Sequence, residues 1–347
     1  MSDEARGLGG RDETSESTRL DVLPRGEMLR RRFTERRETG VFIAFLVLFG
    51  LIAATRPDIF FNWDAMSGIT ARLLRQVTPF LLIGTGMTYL IIGGEFDLSV
   101  GSTFAVGGLL YATLANKYAI PVLAAMLIVL LVSTGIGLTN GVITTKIGVP
   151  SLITTIGMLS VLRGIAFFLT PGGSLNAPES YLTGILGGSQ TLFGIQVNNQ
   201  VFYALALLIV FGIVLQRTRY GHHVYATGDN EDSARKTGID TDRIKIVNFV
   251  LTAVFAALAG MMAISQFGSM FGTAGRGYEL SIIAAVVVGG TDLFGGEGSI
   301  TGTFLGALVI GIIPVLLLLN GLAIEIQELL TGIVIILAVV LDTIIRD

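Results

Sequence analysis

Asp229, Glu231, Asp232, Ser233, Ala234, Arg235 and Gly238 form the densest group of chemically capable residues in the chain. Their types suit docking rather than catalysis. After residue 40 the chain carries 31 Asp, Glu, Lys and Arg residues, and 11 of them fall in the 29 positions of 217–245. Asp229 can cap a helix, with Asp232 three residues on in a near capping-box spacing, and Gly238 can supply a left-handed C-cap. A short helix over about 230–237 is predicted. Glu231 and Asp232 stand in its first turn and Arg235 and Lys236 in its last, which complements the helix dipole at both ends. Ala234 is small enough to let a partner approach closely. A solvated connector would show the same charge.

Other residues with chemical potential are scattered. In GGEFDLSVGS (93–102), Asp97 or Ser99 can cap a following helix and the glycines permit a sharp turn. Glu95 has no such local duty, and a carboxylate at membrane depth is a candidate for the substrate path. GGTDLFGGEGS (289–299) resembles a phosphate loop in its glycines but lacks the Gly-Lys-Ser/Thr ending, so it reads as a tight turn with Asp292 near its mouth. No nucleotide-binding motif occurs elsewhere, and no ATP hydrolysis is expected from this chain. Asn140, Arg163, Asn248, Gln266 and Asn320 are polar residues inside apolar segments. Each can contact a polar solute or bond a neighbouring helix, and helix bonding is the commoner use. Arg163 in addition needs a partner for its charge. The chain has no Cys, and its two His, His222 and His223, are adjacent, which suits no metal site on a regular helix.

The elements that must position these residues are membrane spans. With 52% hydrophobic and 14% charged residues, the 347-residue chain is too apolar for an ordinary soluble globule. A helix needs about 20 apolar residues to cross hydrocarbon roughly 30 Å thick. Spans are predicted at about 41–55, 76–93, 98–115, 120–143, 150–170, 200–216, 246–267, 280–290, 299–319 and 323–344, with an amphipathic lead-in helix at 65–75. The expected fold is thus an all-α polytopic transmembrane helical bundle of about ten spans. Its eighth span is short or broken, about half a crossing long. Residues 1–40, with nine Arg and nine acids, read as a disordered cytoplasmic tail, and 41–347 as the transmembrane domain. Arginines before the first span hold the N-terminus inside. The 171–199 loop, with no Lys or Arg, is then external, the 217–245 loop, with six, is cytoplasmic, and the C-terminus is inside as well. The 45 glycines mainly serve close helix packing, as at Gly84/Gly86, Gly135/Gly137/Gly141 and Gly302/Gly306. Nucleic-acid binding has no support, because no basic stripe is interleaved with aromatics.

Four blocks occur in order: GMTYLIIGGEFDLSVGS (86–102), GLTNGVITTKIGVPSLITTIGMLSVLRGIAFFLT (137–170), RYGHHVYATGDNEDSARKTGIDTDRIKI (219–246) and GRGYELSIIAAVVVGGTDLFGGEGSITGTFLGALVIGI (275–312). Together they resemble ribose/xylose/arabinose-type permeases of monosaccharide ABC importers, over about residues 60–345. Asp232, Ser233, Ala234 and Gly238 are similar to the acidic-Ala-Ala-x-x-x-Gly pattern of the coupling loop in such permeases, whose short helix docks in a cleft of the ATPase. The resemblance implies a cytoplasmic (inner) membrane protein that carries a monosaccharide, a second permease copy, two ABC ATPase subunits that use ATP and Mg, and an extracytoplasmic sugar-binding protein. No cofactor is expected on the chain itself. Substrate-path candidates are Glu95, Asp97, Asn140, Arg163, Gln266 and Asp292. The arginine-rich tail has no counterpart in the family pattern, and Glu95 stands where many relatives are neutral. Two other classes compete: an ion-gradient-driven secondary transporter, which needs an acidic site near the midplane among Glu95, Asp97, Glu279 and Asp292, and a membrane scaffold that docks through 217–245.

Overall fold

Hydrocarbon offers no partner to an open backbone, so the apolar runs close their hydrogen bonds internally as helices. The computed structural model describes residues 37–171 and 173–322, with the isolated positions 326, 329, 332 and 333. α1 (Arg37–Thr55) leads through α2 (Pro57–Phe60) to α3 (Trp63–Ile92), α4 (Val100–Asn116) and α5 (Val122–Val142), which widens into a π turn at Ile143–Ile147. α6 (Ser151–Leu169) is followed by β1 (Ser174–Asn176), α7 (Tyr181–Gly187), β2 (Ser189–Leu192) and β3 (Ile195–Asn198). Next come α8 (Asn199–Arg217), α9 (Arg219–Asp229), α10 (Glu231–Lys236), α11 (Thr241–Phe267), β4 (Ser269–Phe271), α12 (Tyr278–Val288) and α13 (Ile300–Leu319). Both strand pairs are antiparallel: β1 with β4, Leu175 opposite Met270, and β2 with β3, Gln190 opposite Val197.

By length and composition, α5 with its π turn, α6, α8, α11 and α13 can each cross a membrane. The chain is therefore a multi-pass membrane protein. α12, at 11 residues, is the short segment expected near 280–290. Apart from positions 326, 329, 332 and 333, the span expected at 323–344 lies outside the described residues, as do Arg346 and positions 1–36 of the N-terminal tail. Elsewhere the structure redraws the boundaries. The lead-in helix and second span are one 30-residue helix, α3, because nothing between them breaks it and Asn62 caps its start, accepting from Asp64 N at 3.1 Å. The 171–199 segment is not a plain loop but holds β1, α7 and the β2–β3 hairpin.

α11 is the central element. α4, α5 and α3 lie against it through glycines: a Cβ on Gly86 would meet the Thr252 backbone at 2.7 Å, one on Gly107 the Ala257 backbone at 2.6 Å, and one on Gly141 the Ile246 Cα at 2.8 Å. Gly137, Gly302 and Gly306 make similar close approaches to backbone, a Cβ on Gly84 would meet only side chains, the nearest the Thr303 methyl at 3.1 Å, and Gly135 faces open space. Such packing supplies the dispersion contact that helix association in lipid depends on. The outer face is apolar in turn. Ile153 is 63% exposed, Leu131 72% and Phe168 83%, a surface suited to hydrocarbon.

The two ends of the bundle differ. One carries α9, α10, the turn between α3 and α4, and the turn between α12 and α13; it is the charged end. The other carries both strand pairs; it is the hairpin end. α12 starts within the bundle, where the Tyr278 ring packs against Phe80 at 5.2 Å and Phe104 at 5.1 Å between centroids.

Candidate functional site

α10 forms close to where its sequence places it. Its N-cap is Asn230 rather than Asp229: the Asn230 side chain accepts from Ser233 N at 2.8 Å, and Asp229 instead completes α9. Asn and Asp cap about equally well, so sequence alone does not separate adjacent candidates. At the other end Gly238 takes φ +91°, with Ile239 N donating to Ala234 O at 3.1 Å and Gly238 N to Arg235 O at 3.0 Å, the paired bonds of a Schellman stop. Gly238→Ala would place a side chain in the left-handed region and cost about 1–2 kcal/mol. Faster amide exchange over 230–240 is the expected result.

Ala234 is only 4% exposed and faces the protein itself. It anchors α10 and is not the point of closest approach for a partner. The face open to a partner carries Asp232, Ser233, Arg235 and Lys236.

Beneath α10 lies a chain of ion pairs absent from the sequence reading. Arg235 Nη2 bonds Glu231 Oε1 at 2.8 Å and Asp242 Oδ1 at 2.5 Å, and Lys146 Nζ bonds Asp242 Oδ2 at 2.7 Å. Lys245 Nζ bonds Glu231 Oε2 at 2.7 Å and Glu95 Oε1 at 2.8 Å. The network ties α10 to the π turn after α5, to the start of α11 and to the turn before α4. Its outer members are half exposed and contribute little by themselves. The Lys245 and Glu95 side chains are 11% and 13% exposed, where an orphaned charge is costly. Glu95 is thus a structural counter-ion here. Lys245 stands one residue before the apolar run at 246, and its spacing names no partner.

Burial pushes the Glu231 carboxyl up, but hydrogen bonds from Lys245, Arg235 and Thr241 outweigh it and hold the pKa below its ordinary 4.5. A carboxylate with a depressed folded pKa adds stability above the unfolded value and loses it as pH falls through the folded one. Exchange protection of α10 should therefore hold steady from neutral pH down to about 4.5 and fall below it, and Glu231→Gln should remove that step.

The charged end is closed by a three-way junction. Gly296 N donates to Ile92 O at 2.9 Å, Tyr225 Oη donates to Gly298 O at 2.8 Å, and Gly228 lies so close to Ile92 O that a Cβ would overlap it. Asp292 is buried in this turn, where its Oδ1 accepts from Phe294 N at 2.8 Å.

The remaining candidates do not converge on one site. Asp97 is fully buried; its Oδ1 accepts from Ser99 N at 2.7 Å and Ser99 Oγ at 2.5 Å. Asn140 joins them, donating to Ser99 Oγ at 3.2 Å and Asp97 Oδ2 at 3.4 Å, so the two form one polar cluster at the entry of α4. Arg163 donates from Nη1 to Gly272 O at 2.9 Å and Ala274 O at 2.8 Å, which fixes the extended segment ahead of α12. Gln266 lies at the hairpin end. Asn248 bonds Tyr89 O at 2.9 Å and accepts from Tyr220 Oη at 2.6 Å, an interhelical role as expected. No group of three or more His, Cys, Asp or Glu suited to a metal occurs among the described residues.

The sequence that folds this way has relatives among known proteins. Residues 69–339 match a family described as branched-chain amino acid transport system / permease component. The chain belongs to that permease family. The permease is 34% identical over 305 residues to the ribose import permease protein RbsC of Haemophilus influenzae, covering 88% of this chain and 93% of that one. It is 33% identical over 304 residues to the L-arabinose ABC transporter permease protein AraH of Azospirillum brasilense (88% and 87%). It is likewise 33% identical over 311 residues to the autoinducer 2 import system permease protein LsrC of Yersinia enterocolitica (88% and 82%). No solved structure matches the permease. As a permease component it is a transport subunit, not a catalyst.

Proposed function

We propose that this permease is the membrane subunit of an ABC importer that moves a neutral monosaccharide into the cytoplasm, with α10 as the element that receives the stroke of a separate ATPase. The observation that carries the reading is the geometry of α10. It is a helix stopped at both ends by its own caps and bolted to α11 by two ion pairs, Arg235–Asp242 and Glu231–Lys245, whose α11 members pair in turn with Lys146 of the π turn and Glu95 of the turn before α4, and it presents Asp232, Ser233, Arg235 and Lys236 outward. A mere connector needs neither caps nor bolts. The sugar class is supported by the relatives named for ribose, L-arabinose and autoinducer 2 import, although the family description speaks of branched-chain amino acids.

In this reading the charged end is cytoplasmic and the hairpin end external, in the inner membrane. That orientation agrees with the six Lys and Arg of 217–245 and their absence from 171–199. The ATPase subunits hold ATP and Mg; an external sugar-binding protein delivers the substrate, and two copies of the chain complete the pore. Movement of α10 reaches the turn before α4 through Glu231, Lys245 and Glu95. It reaches the turn before α13 through Gly228.

The chain has no native Cys, which makes the docking claim direct to test. Asp232→Cys and Lys236→Cys, each in the complex with its ATPase, should crosslink to a cysteine in the ATPase cleft through a short bifunctional maleimide. A cysteine at buried Ala166 should not. No crosslink from either α10 position would remove the coupling assignment.

A further inference from the structure

Only two residues join β2 to β3: Leu192 stands opposite Ile195, which leaves Phe193 and Gly194 as the turn. Both take positive φ, +52° at Phe193 and +80° at Gly194. A hairpin turn of this kind favours Asn or Asp followed by Gly, and a bulky aromatic in the left-handed region is strained. Phe193 is also 91% exposed, so no contact within the described chain repays that strain. Turn chemistry and solvation would both choose Asn here. A side chain wrong for its backbone and wrong for water suits an apolar surrounding outside the chain.

The tip does not stand alone. A Cβ on Gly194 would meet Trp63 Nε1 at 3.1 Å, so the hairpin tip lies against the start of α3. Trp63 is itself exposed, and Phe61, two residues earlier, is 82% exposed. From Phe61 the rings run back to the first span. Phe60 lies 5.3 Å from Phe61 between centroids, Phe49 of α1 lies 5.6 Å from Phe60, and Phe45 lies 5.9 Å from Phe49. α1 is open along Ile43, Leu46 and Val47, part of the apolar outer face that suits hydrocarbon. The tip thus ends a band that begins on the lipid-facing side of α1. A soluble partner is ordinarily steered and registered by complementary charge, and residues 188–199 carry no Asp, Glu, Lys or Arg.

We infer that the β2–β3 hairpin is a membrane anchor: Phe193 dips into the interfacial layer of the bilayer at the hairpin end, with Trp63 and Phe61 beside it. Indole favours this layer because its ring is apolar while its N–H can stay wet. β3 lies against α3 with Val197 buried, which fixes the root of the hairpin and leaves the tip to the lipid. The open edge of β2 confines the insertion to the interfacial layer, where water still reaches unpaired backbone. The anchor holds the Trp63 end of α3 at the membrane surface.

Trp63 is the single Trp of the chain, so its fluorescence is a built-in reporter. The test reconstitutes the full chain in phosphatidylcholine vesicles whose acyl chains are brominated either near the headgroup or near the methyl end. The unmodified chain reads Trp63, and Trp63→Phe combined with Phe193→Trp reads the tip. Insertion by about 5–10 Å, usual for interfacial elements, should let the shallow bromines quench both reporters about twofold or more and the deep bromines much less. Either reporter left unquenched by the shallow bromines would overturn the anchor. If position 193 then answered to aqueous iodide, the tip would stand in water; if it answered to neither quencher, protein would cover it. The unmodified chain needs no variant to fold, and the reading is independent of which solute is carried and of which side of the membrane the hairpin end faces.

Discussion

Gly228→Val is expected to abolish ATP-driven uptake while the bundle remains inserted. Gly228 closes α9 against the end of α3: a Cβ there overlaps the Ile92 carbonyl oxygen and comes within 2.6 Å of Gly296 N. Both neighbours are backbone, so no side-chain rotation can relieve the contact. Overpacking of a closed core commonly costs about 1–3 kcal/mol, and against backbone on two sides the upper part of that range is expected. The clash also drives out the Gly296 N to Ile92 O bond, which joins the turn after α12 to the turn after α3. The expected result is a protein that inserts at normal levels, loses exchange protection in α9 and the 289–299 turn, and transports little. Gly228→Ala should be intermediate. Normal uptake by Gly228→Val would show that the junction carries no motion.

The second large effect is expected at Lys245. Lys245→Met removes the only described cation bonded to Glu95 and leaves that carboxylate, 13% exposed, facing Glu231. Breaking a buried pair by removing one partner typically costs about 3–5 kcal/mol, because the remaining charge stays desolvated. Thermal unfolding in detergent should therefore begin at lower temperature, and ATP hydrolysis in the assembled complex should become less sensitive to substrate. Lys245→Met combined with Glu95→Gln should recover much of the stability, since no orphaned charge remains at the turn before α4. It should not restore coupling if the ion bridge transmits the stroke. Full recovery of both would reduce the pair to a stability feature.

The fold was legible where hydropathy is strong and continuous. α5, α6, α8 and α13 begin and end within a few residues of their apolar runs, since burial in lipid and internal hydrogen bonding act on the same stretch. Polar helices were less legible. α9 (RYGHHVYATGD) has too little hydrophobicity to register as a span, and its signals are local: Thr218 capping Gly221 N at 3.3 Å, and Val224 and Thr227 buried one turn apart. α11 starts at Thr241, five residues before its apolar run, because Asp240 caps it by accepting from Arg243 N at 3.1 Å.

The site was legible in part for the same reason. The dipole complement and the Gly238 stop of α10 are short-range and readable from spacing, and its N-cap to within one residue. The orientation of Ala234 and the bonding of Lys245 to Glu95, 150 residues apart, depend on tertiary packing that no local pattern encodes.

Uptake of labelled ribose or arabinose into proteoliposomes tests the central claim most directly. The vesicles hold the permease with or without its cognate ATPase, with the binding protein outside, ATP and Mg inside, and ionophores collapsing every ion gradient. Accumulation that requires the ATPase and ATP, persists without gradients and is lost in Gly228→Val is the predicted result. Accumulation by the permease alone, driven by a proton or sodium gradient, or accumulation of leucine in place of the sugar, would contradict it.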